Sequence, residues 1–303
     1  MIDNLSKSLL KQISNLHKLP NGAYSFRKNG KSELLKSSAN IRIEKKDDLS
    51  GINIYISSKC KNESCHIPVI ITENDINDLV YNDFYIEDGA KVTIVAGCGI
   101  HSSGESSHNG IHTFYVGSNV EVNYVENHIA TGKGKKQELN PVTVITVGEN
   151  SVFNIVTNQL GGVTYANRKT KATLKANSTL NVTEKLLTSG FEVAKTNFEI
   201  SLIGEGSRTN IISRSVARQE SEQEFKSNLI GKNLCYGRVE CDAILLDKAI
   251  VISQPKVSAK SNLAELTHEA TIGRIAQEQL VKLMTLGLNE EQATMKIIEG
   301  FLK

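Results

Sequence analysis

Tryptophan is absent from this 303-residue chain, aromatic residues make up 5% of it, and there are only four prolines and three methionines. Enzymes that cleave polysaccharides generally hold sugars on aromatic platforms and act through clustered carboxylates, and neither feature is apparent. A polysaccharide-active enzyme is therefore a minor alternative. Charge of one sign is also missing, since 35 Lys and Arg stand against 33 Asp and Glu. No strong global field argues for nucleic acid or an acidic membrane surface. The local basic run Lys133-Gly134-Lys135-Lys136 reads as a solvated loop. No apolar run approaches the length of a membrane span, and Met1 to Pro20 mixes polar and apolar residues without the continuous hydrophobic core of a signal peptide. The expected location is cytoplasmic. In that compartment the five cysteines at 60, 65, 98, 235 and 241 are expected as thiols or metal ligands, not disulfides. A complete phosphate loop is lacking too: Gly30-Lys31-Ser32 has Ser25 where the motif needs glycine. Any nucleotide-derived energy would have to come from a partner, and the chain itself is expected not to be an enzyme.

What the sequence does contain is a period. Gly or Asn recurs at Gly89, Asn119, Asn150, Asn177, Gly206, Asn233 and Asn262, at intervals of 30, 31, 27, 29, 27 and 29 residues. These two residue types most readily accept positive φ at a corner. Short alternating segments follow them, such as Val92-Thr93-Ile94-Val95 and Val120-Glu121-Val122-Asn123-Tyr124. A repeat of this length signals a solenoid, and about 29 residues fit two strands and two connections per coil. The expected architecture is an all-β core over residues 75–270, folded as one parallel β-helix. Residues 1–74 form an N-terminal region of one helix and short strands, and residues 271–303 form a helical C-terminal region. Leu5, Leu9, Ile13 and Leu16 mark the first helix, over 3–17. Near the end, Leu280, Leu283 and Met284 make an apolar stripe that stops at Gly287. Asn289, with Gln292 three residues on, then caps a second helix lined by Ala293, Ile297, Ile298 and Phe301.

In a β-helix of this period, Cys241 and the pair His268/Glu269, about 28 residues apart, fall on neighbouring coils roughly 4.8 Å apart. Thiol, imidazole and carboxylate together can bind a soft metal or a sulfur species. The competing reading is an ordinary buried thiol on the apolar strand Val239–Leu246. Counting about eight or nine residues past each marker gives a polar column: Cys98, His128, Asn158 or Gln159, Lys185, Arg214, Cys241 and Glu269. Its cations would favour a thiolate or persulfide anion. Cys60 and Cys65-His66 make a Cys-x4-Cys-His group with no second pair to complete a zinc shell, so buried or solvated thiols are expected. His101, His108, His112 and His128 crowd around Cys98, yet His112 alternates with Phe114 and Val116 while His101 and His108 flank a Gly/Ser loop. A dedicated zinc site is not expected there.

The run Cys241-Asp242-Ala243-Ile244-Leu245-Leu246, then His268-Glu269-Ala270-Thr271 and a terminal Gly300-Phe301, resembles the SufB/SufD family of iron-sulfur cluster assembly scaffolds, on the SufB side, from about residue 75 to the end. The resemblance implies a right-handed parallel β-helix with N- and C-terminal helices. It implies pairing of two core subunits, here as a homodimer or a SufB/SufD-type pair, each bound to a SufC-type ABC ATPase through residues 274–303. A sulfur donor protein and apo-protein acceptors complete the implied set of partners. Carried onto this chain, Cys241 and Glu269 are the cluster ligands, His268 is a supporting or alternative ligand, and Cys98 receives sulfur, with His128, Lys185 and Arg214 along its route. The cofactor would be a transiently bound 2Fe-2S or 4Fe-4S cluster. A SufD-like structural subunit without its own cluster is the alternative within the family.

Overall fold

The computed structural model describes residues 3–14, 16, 20, 22–132, 134 and 136–303. Two of the lysines of the basic run, 133 and 135, lie outside the described residues, as do residues 15 and 17–19 at the end of the expected N-terminal helix. Two ten-stranded sheets face each other, and each coil contributes a strand to both. One sheet starts with Lys31–Lys36 and Ala23–Lys28, runs on through Lys61–Ile71 and Lys91–His101, and ends at Cys235–Leu245 and Ala264–Gly273. The other runs from Ile41–Lys45 and Gly51–Ile56 to Glu222–Gly231 and Ile250–Ala259. Neighbours are parallel throughout the body of both sheets, which makes the fold a parallel β-helix. Only the first pair of each sheet is antiparallel.

The corners explain the period. Gly89, Asn119, Asn150, Asn177 and Gly206 all have φ between 53° and 73°, the left-handed conformation that Gly and Asn tolerate. Asn233 and Asn262 do not, and Asp247 turns the chain in that neighbourhood with φ 60°. Between corners, side chains alternate in and out, so every second residue enters the space between the sheets. Part of that interior is apolar: Phe84 stacks on Phe114 at 4.3 Å, and Phe153, Val182, Ile211 and Val239 continue the cluster. Burying such side chains contributes about 1.5–3 kcal/mol each. The remainder of the interior is polar, and holds Asp78, His108, Glu126, His128, Arg168 and Glu184, all buried.

Helix α1, Asn4–Ser14, starts where the Asp3 carboxylate accepts from the Ser6 backbone N–H at 2.8 Å. Its buried face is Leu9, Leu10 and Ile13, with Leu5 38% exposed. That face packs on the outside of the first sheet, against Phe26, Ile70 and Ile129. At the other end of the chain, α2 (Gln277–Met284) terminates near Gly287, whose φ is 95°. Helix α3 (Glu290–Phe301) opens with the expected reciprocal cap, Asn289 Oδ1 accepting from Gln292 N at 2.9 Å and Asn289 N donating to Gln292 Oε1 at 3.0 Å.

Candidate functional site

Cys241 lies on the inner face of the Cys235–Leu245 strand, with Ser213 beside it on the preceding coil and Ala270 on the following one. Only 1% of it is exposed, and burial pushes its thiol up to about 11, with the nearby Ser253 hydroxyl pulling the other way. His268 pairs with Val239, so it shares the inward-facing set of positions with Cys241, two residues away along the ladder. Its Nε2 is buried without a hydrogen-bond partner. Orphaned polar atoms of this kind cost free energy unless something binds them. Glu269 pairs with Glu240 and points the opposite way, out to solvent, where its carboxylate accepts from Arg238 Nη2 at 2.9 Å. The fold therefore groups Cys241 with His268 and puts Glu269 on the outer face of the same sheet.

The strands that carry these residues are the last ones. Ala264–Gly273 and Ile250–Ala259 each close one sheet, with no further strand beyond them among the described residues. Ile250, Ile252, Val257, Leu263 and Ile272 are 40–54% exposed there. Cys241 is thus one coil from an uncovered end of the solenoid.

The polar column counted from the markers does not form a single ladder. Cys98, His128 and Gln159 are in register on the inner face, but the next residues in that ladder are Leu186, Ser215 and Ala243. Lys185 and Arg214 belong to the adjacent outward ladder, with Asn127, Asn158 and Asp242. There Lys185 Nζ donates to the Lys303 backbone carbonyl at 2.7 Å, while Arg214 is ion-paired with Glu240 and, at 2.7 Å, with Asp242. The Arg214 guanidinium also lies 6.0 Å from the Phe301 ring centre. Both cations fasten the end of α3 to the outside of the sheet. A one-residue slip in counting exchanges inner and outer faces, which is why the column failed.

Cys98 is fully buried among Val69, Ile100, Ala130 and Leu139, and burial, aided by the charges of Asp78 and Glu126, holds its thiol well above the usual range. The two glycines beside it do not open its backbone to solvent. Helix α1 occupies that space: a Cβ on Gly99 would sit 3.2 Å from Leu9 Cβ, and Asn127 Nδ2 donates to the Ile13 carbonyl at 2.7 Å.

Between Cys98 and Cys241 the interior carries polar groups that the column did not include. Glu126 is ion-paired with Arg168, His128 Nδ1 lies 3.1 Å from Arg168 Nη2, and His128 Nε2 lies 3.4 Å from Glu126 Oε1. Burial opposes ionisation of Glu126, yet Arg168 and His128 outweigh it and hold the carboxyl well below its usual value. His128 is shifted down by burial, so its imidazole is neutral at pH 7. Two coils on from Glu126, Glu184 accepts from Thr196 Oγ1 and Ser213 Oγ, each at 2.8 Å, and burial raises its pKa. Ser213 is the ladder neighbour of Cys241. A cavity of about 10 Å³ lies among Thr157, Gln159, Arg168, Glu184 and Thr196. The sequence signal for this track was a charged residue at an inward position, as in Tyr124-Val125-Glu126-Asn127-His128 and Val182-Thr183-Glu184.

All five cysteines are free and buried. Cys65 faces the core while His66, its neighbour, is on the other face of the strand, so the Cys-x4-Cys-His group does not converge. Among the described residues, no three His, Cys, Asp or Glu side chains come together as a metal shell.

This architecture agrees with what comparison with known proteins finds. Residues 74–301 match the sequence model for the SufBD core domain of the SUF system for FeS cluster assembly. The chain belongs to the SufBD family. Iron-sulfur cluster assembly SufBD family proteins of Archaeoglobus fulgidus and Methanocaldococcus jannaschii are each 26% identical to it, over 84% and 78% of this chain and 70% and 75% of their own lengths. One from Pyrococcus horikoshii is 28% identical over 84% of this chain and 57% of its own length. Membership of the SufBD family places the protein in iron-sulfur cluster assembly. No helix among the described residues is long and apolar enough to cross a membrane.

Proposed function

We propose that this SufBD-family chain is a cytoplasmic, non-enzymatic scaffold on which an iron-sulfur cluster is built at a junction between two copies and then passed to apo-proteins. The observation that carries the proposal is that Cys241 and the unpartnered Nε2 of His268 belong to the same inner face, two residues apart along the ladder and one coil from the solenoid's last strands. One chain supplies too few donors; a twofold axis at that end doubles the set to two thiols and two imidazoles. Glu269 then acts from the outer face, at the rim of the junction, as an oxygen donor or as the counter-charge to Arg238. Thiolate and imidazole are both established cluster ligands, and a mixed shell suits a scaffold that must release its cargo.

In this reading, once α1 moves off Cys98, the Cys98 thiolate takes the outer sulfur of a donor protein's persulfide, the donor leaving as its thiolate, with His128 beside it on the path toward Cys241, while Lys185 and Arg214 act from outside by anchoring the C-terminal segment. Residues 274–303 carry the exposed apolar side chains Val281, Met284, Leu286 and Met295, 40–76% accessible. They border a groove of about 650 Å³ lined by Arg218, Leu246, Arg274 and Ile298, among others. This is the surface offered to a SufC-type ATPase.

The test is anaerobic reconstitution with iron and sulfide counting. Cys241→Ser loses the cluster, His268→Ala and Glu269→Gln reduce it, and Cys60→Ser and Cys65→Ser keep it near parental content. A cluster that survives Cys241→Ser and is lost in Cys60→Ser moves the site to the other end of the chain. The second reading, a SufD-like structural subunit, draws on the lack of a three-ligand group among the described residues; it predicts no iron or sulfide in the parent either.

A further inference from the structure

His108, Gly110 and His112 follow one another on the inner face of the Glu105–Val116 strand, and both histidines are at least 94% buried by exposures of 6% and 5%. In the sequence His112 alternates with Phe114 and Val116 and His108 flanks a Gly/Ser loop, but the fold turns both rings toward one point. Nδ1 of His108 lies 3.0 Å from Asp78 Oδ2, an acceptor, so the ring proton sits on Nδ1. Nδ1 of His112 lies 3.2 Å from the Tyr124 hydroxyl, which is itself hydrogen-bonded to Glu126. The phenol gives its proton to that carboxylate and receives one from Nδ1 of His112. With Nδ1 engaged in both rings, Nε2 is the nitrogen each ring turns toward Gly110.

The space these nitrogens face is kept open by glycine. A Cβ at residue 110 would lie 2.9 Å from His112 Nε2 and 3.2 Å from His108 Nε2. The neighbouring coil does not fill it, because its strand is interrupted between Lys136–Leu139 and Val142–Val147, and Pro141 borders the void. The resulting cavity, about 10 Å³, also has Asn82 on its wall, in register with His112. Asn82 is 5% exposed.

Histidines that bind metal characteristically donate their other ring N–H to a carboxylate or an equivalent acceptor, which fixes the tautomer and aims the lone pair. Here one ring is backed by Asp78 directly and the other by Glu126 through a phenol. Two imidazoles and a carboxamide oxygen suit borderline first-row ions such as Fe(II), Co(II) or Zn(II), and not calcium or magnesium. We propose that His108, His112 and Asn82 form an internal binding site for one divalent first-row transition ion and, resting on the scaffold reading above, that its occupant is Fe(II) held apart from the Cys241 site. Three neutral donors hold an ion weakly enough to give it up, which distinguishes the site from a structural zinc of four ligands.

The test uses the full chain carrying Cys241→Ser, titrated anaerobically with Co(II) alone and followed by its visible d–d bands. One Co(II) per chain is expected, without the charge-transfer absorption of a thiolate ligand, and Fe(II) competes for it. Gly110→Ala retains both imidazoles and fills the space between them, so it weakens Co(II) binding at least tenfold with the far-UV spectrum and melting temperature near those of the parent; Asn82→Ala weakens it less. No Co(II) binding, or binding that Gly110→Ala leaves unchanged, overturns the site. The two assignments fail separately: Cys241→Ser that loses its cluster and binds no Co(II) removes only the histidine site, whereas Co(II) binding with an intact cluster in Cys241→Ser removes only the scaffold ligand.

Discussion

Two buried glutamates on the inner face are pushed in opposite directions by their surroundings. Glu126, against Arg168 and His128, stays ionised; Glu184, facing Thr196 and Ser213 in a buried site, has a raised pKa. A carboxyl in the unfolded chain ionises near about 4.3. Above that value the unfolded chain releases a proton from residue 184 that the folded chain retains, so the contribution of Glu184 to stability is lost as pH rises through the raised folded value. Glu126 behaves oppositely, contributing above the unfolded value and losing that contribution as pH falls through its depressed one. Glu184→Gln, which keeps the shape, should therefore match the parent near pH 4 and melt higher than it near pH 8. A melting difference that is flat with pH would contradict this. Arg168→Met leaves Glu126 buried and uncompensated, and should cost about 3–5 kcal/mol in denaturant unfolding. The charge at these positions was visible in the sequence as a breach of alternation, but its meaning was not, because Glu126 and Arg168 are 42 residues apart and meet only across the interior. The same limit applies to Cys241, His268 and Glu269. Their spacing brought the right coils together, whereas which of the two candidates shares the thiol's face depends on a register that one residue can invert.

Helices at either end show how much local pattern conveys and where it stops. The end of α2 near Gly287 and the cap of α3 at Asn289 were legible because they are made by residues within a few positions of one another. The seat of α1 was not, because Gly97 and Gly99 make room for Leu9 and Ile13 only once the fold brings residues 4–14 over the 91–101 strand. Leu9 is 1% exposed, and Leu9→Ala removes its contact with this seat. The expected loss is about 2–3 kcal/mol, at the lower end for a core leucine because a surface helix can settle. Amide exchange should locate the effect: protection falls in residues 4–14 and on the 91–101 strand, with the central coils unaffected. Equal loss of protection in the coils would mean that α1 is part of the cooperative core. In α3, burial of Ala293 and Ile298 assigns that side of the stripe to the protein's own interior. Val281, Met284, Leu286 and Met295 are what remains for a partner.

At the scale of the whole molecule, a solenoid buries each coil between two others, and the last coil is left with one neighbour. The start of this solenoid is closed by two antiparallel hairpin pairs, Ala23–Lys28 with Lys31–Lys36 and Ile41–Lys45 with Gly51–Ile56. Among the described residues the other end has no counterpart: Ala264–Gly273 and Ile250–Ala259 are the last strands of their sheets, next to exposed aliphatic side chains. Exposed edges of this sort are templates for strand pairing, and proteins that keep them bare usually use them. Val257 is in register with the fully buried Leu229 and so belongs to the inner set, yet it is 46% exposed because no coil covers it. If a second copy closes this end, Val257→Glu places a carboxylate in the middle of the junction and must weaken the dimer by at least about 1.4 kcal/mol, a tenfold rise in its dissociation constant. Sedimentation velocity across a concentration series reads that shift, and cluster content after reconstitution should fall in step with it, since each chain alone lacks the donors. A Val257→Glu protein that remains dimeric and holds its cluster would put the junction elsewhere and leave the uncovered end for a different partner.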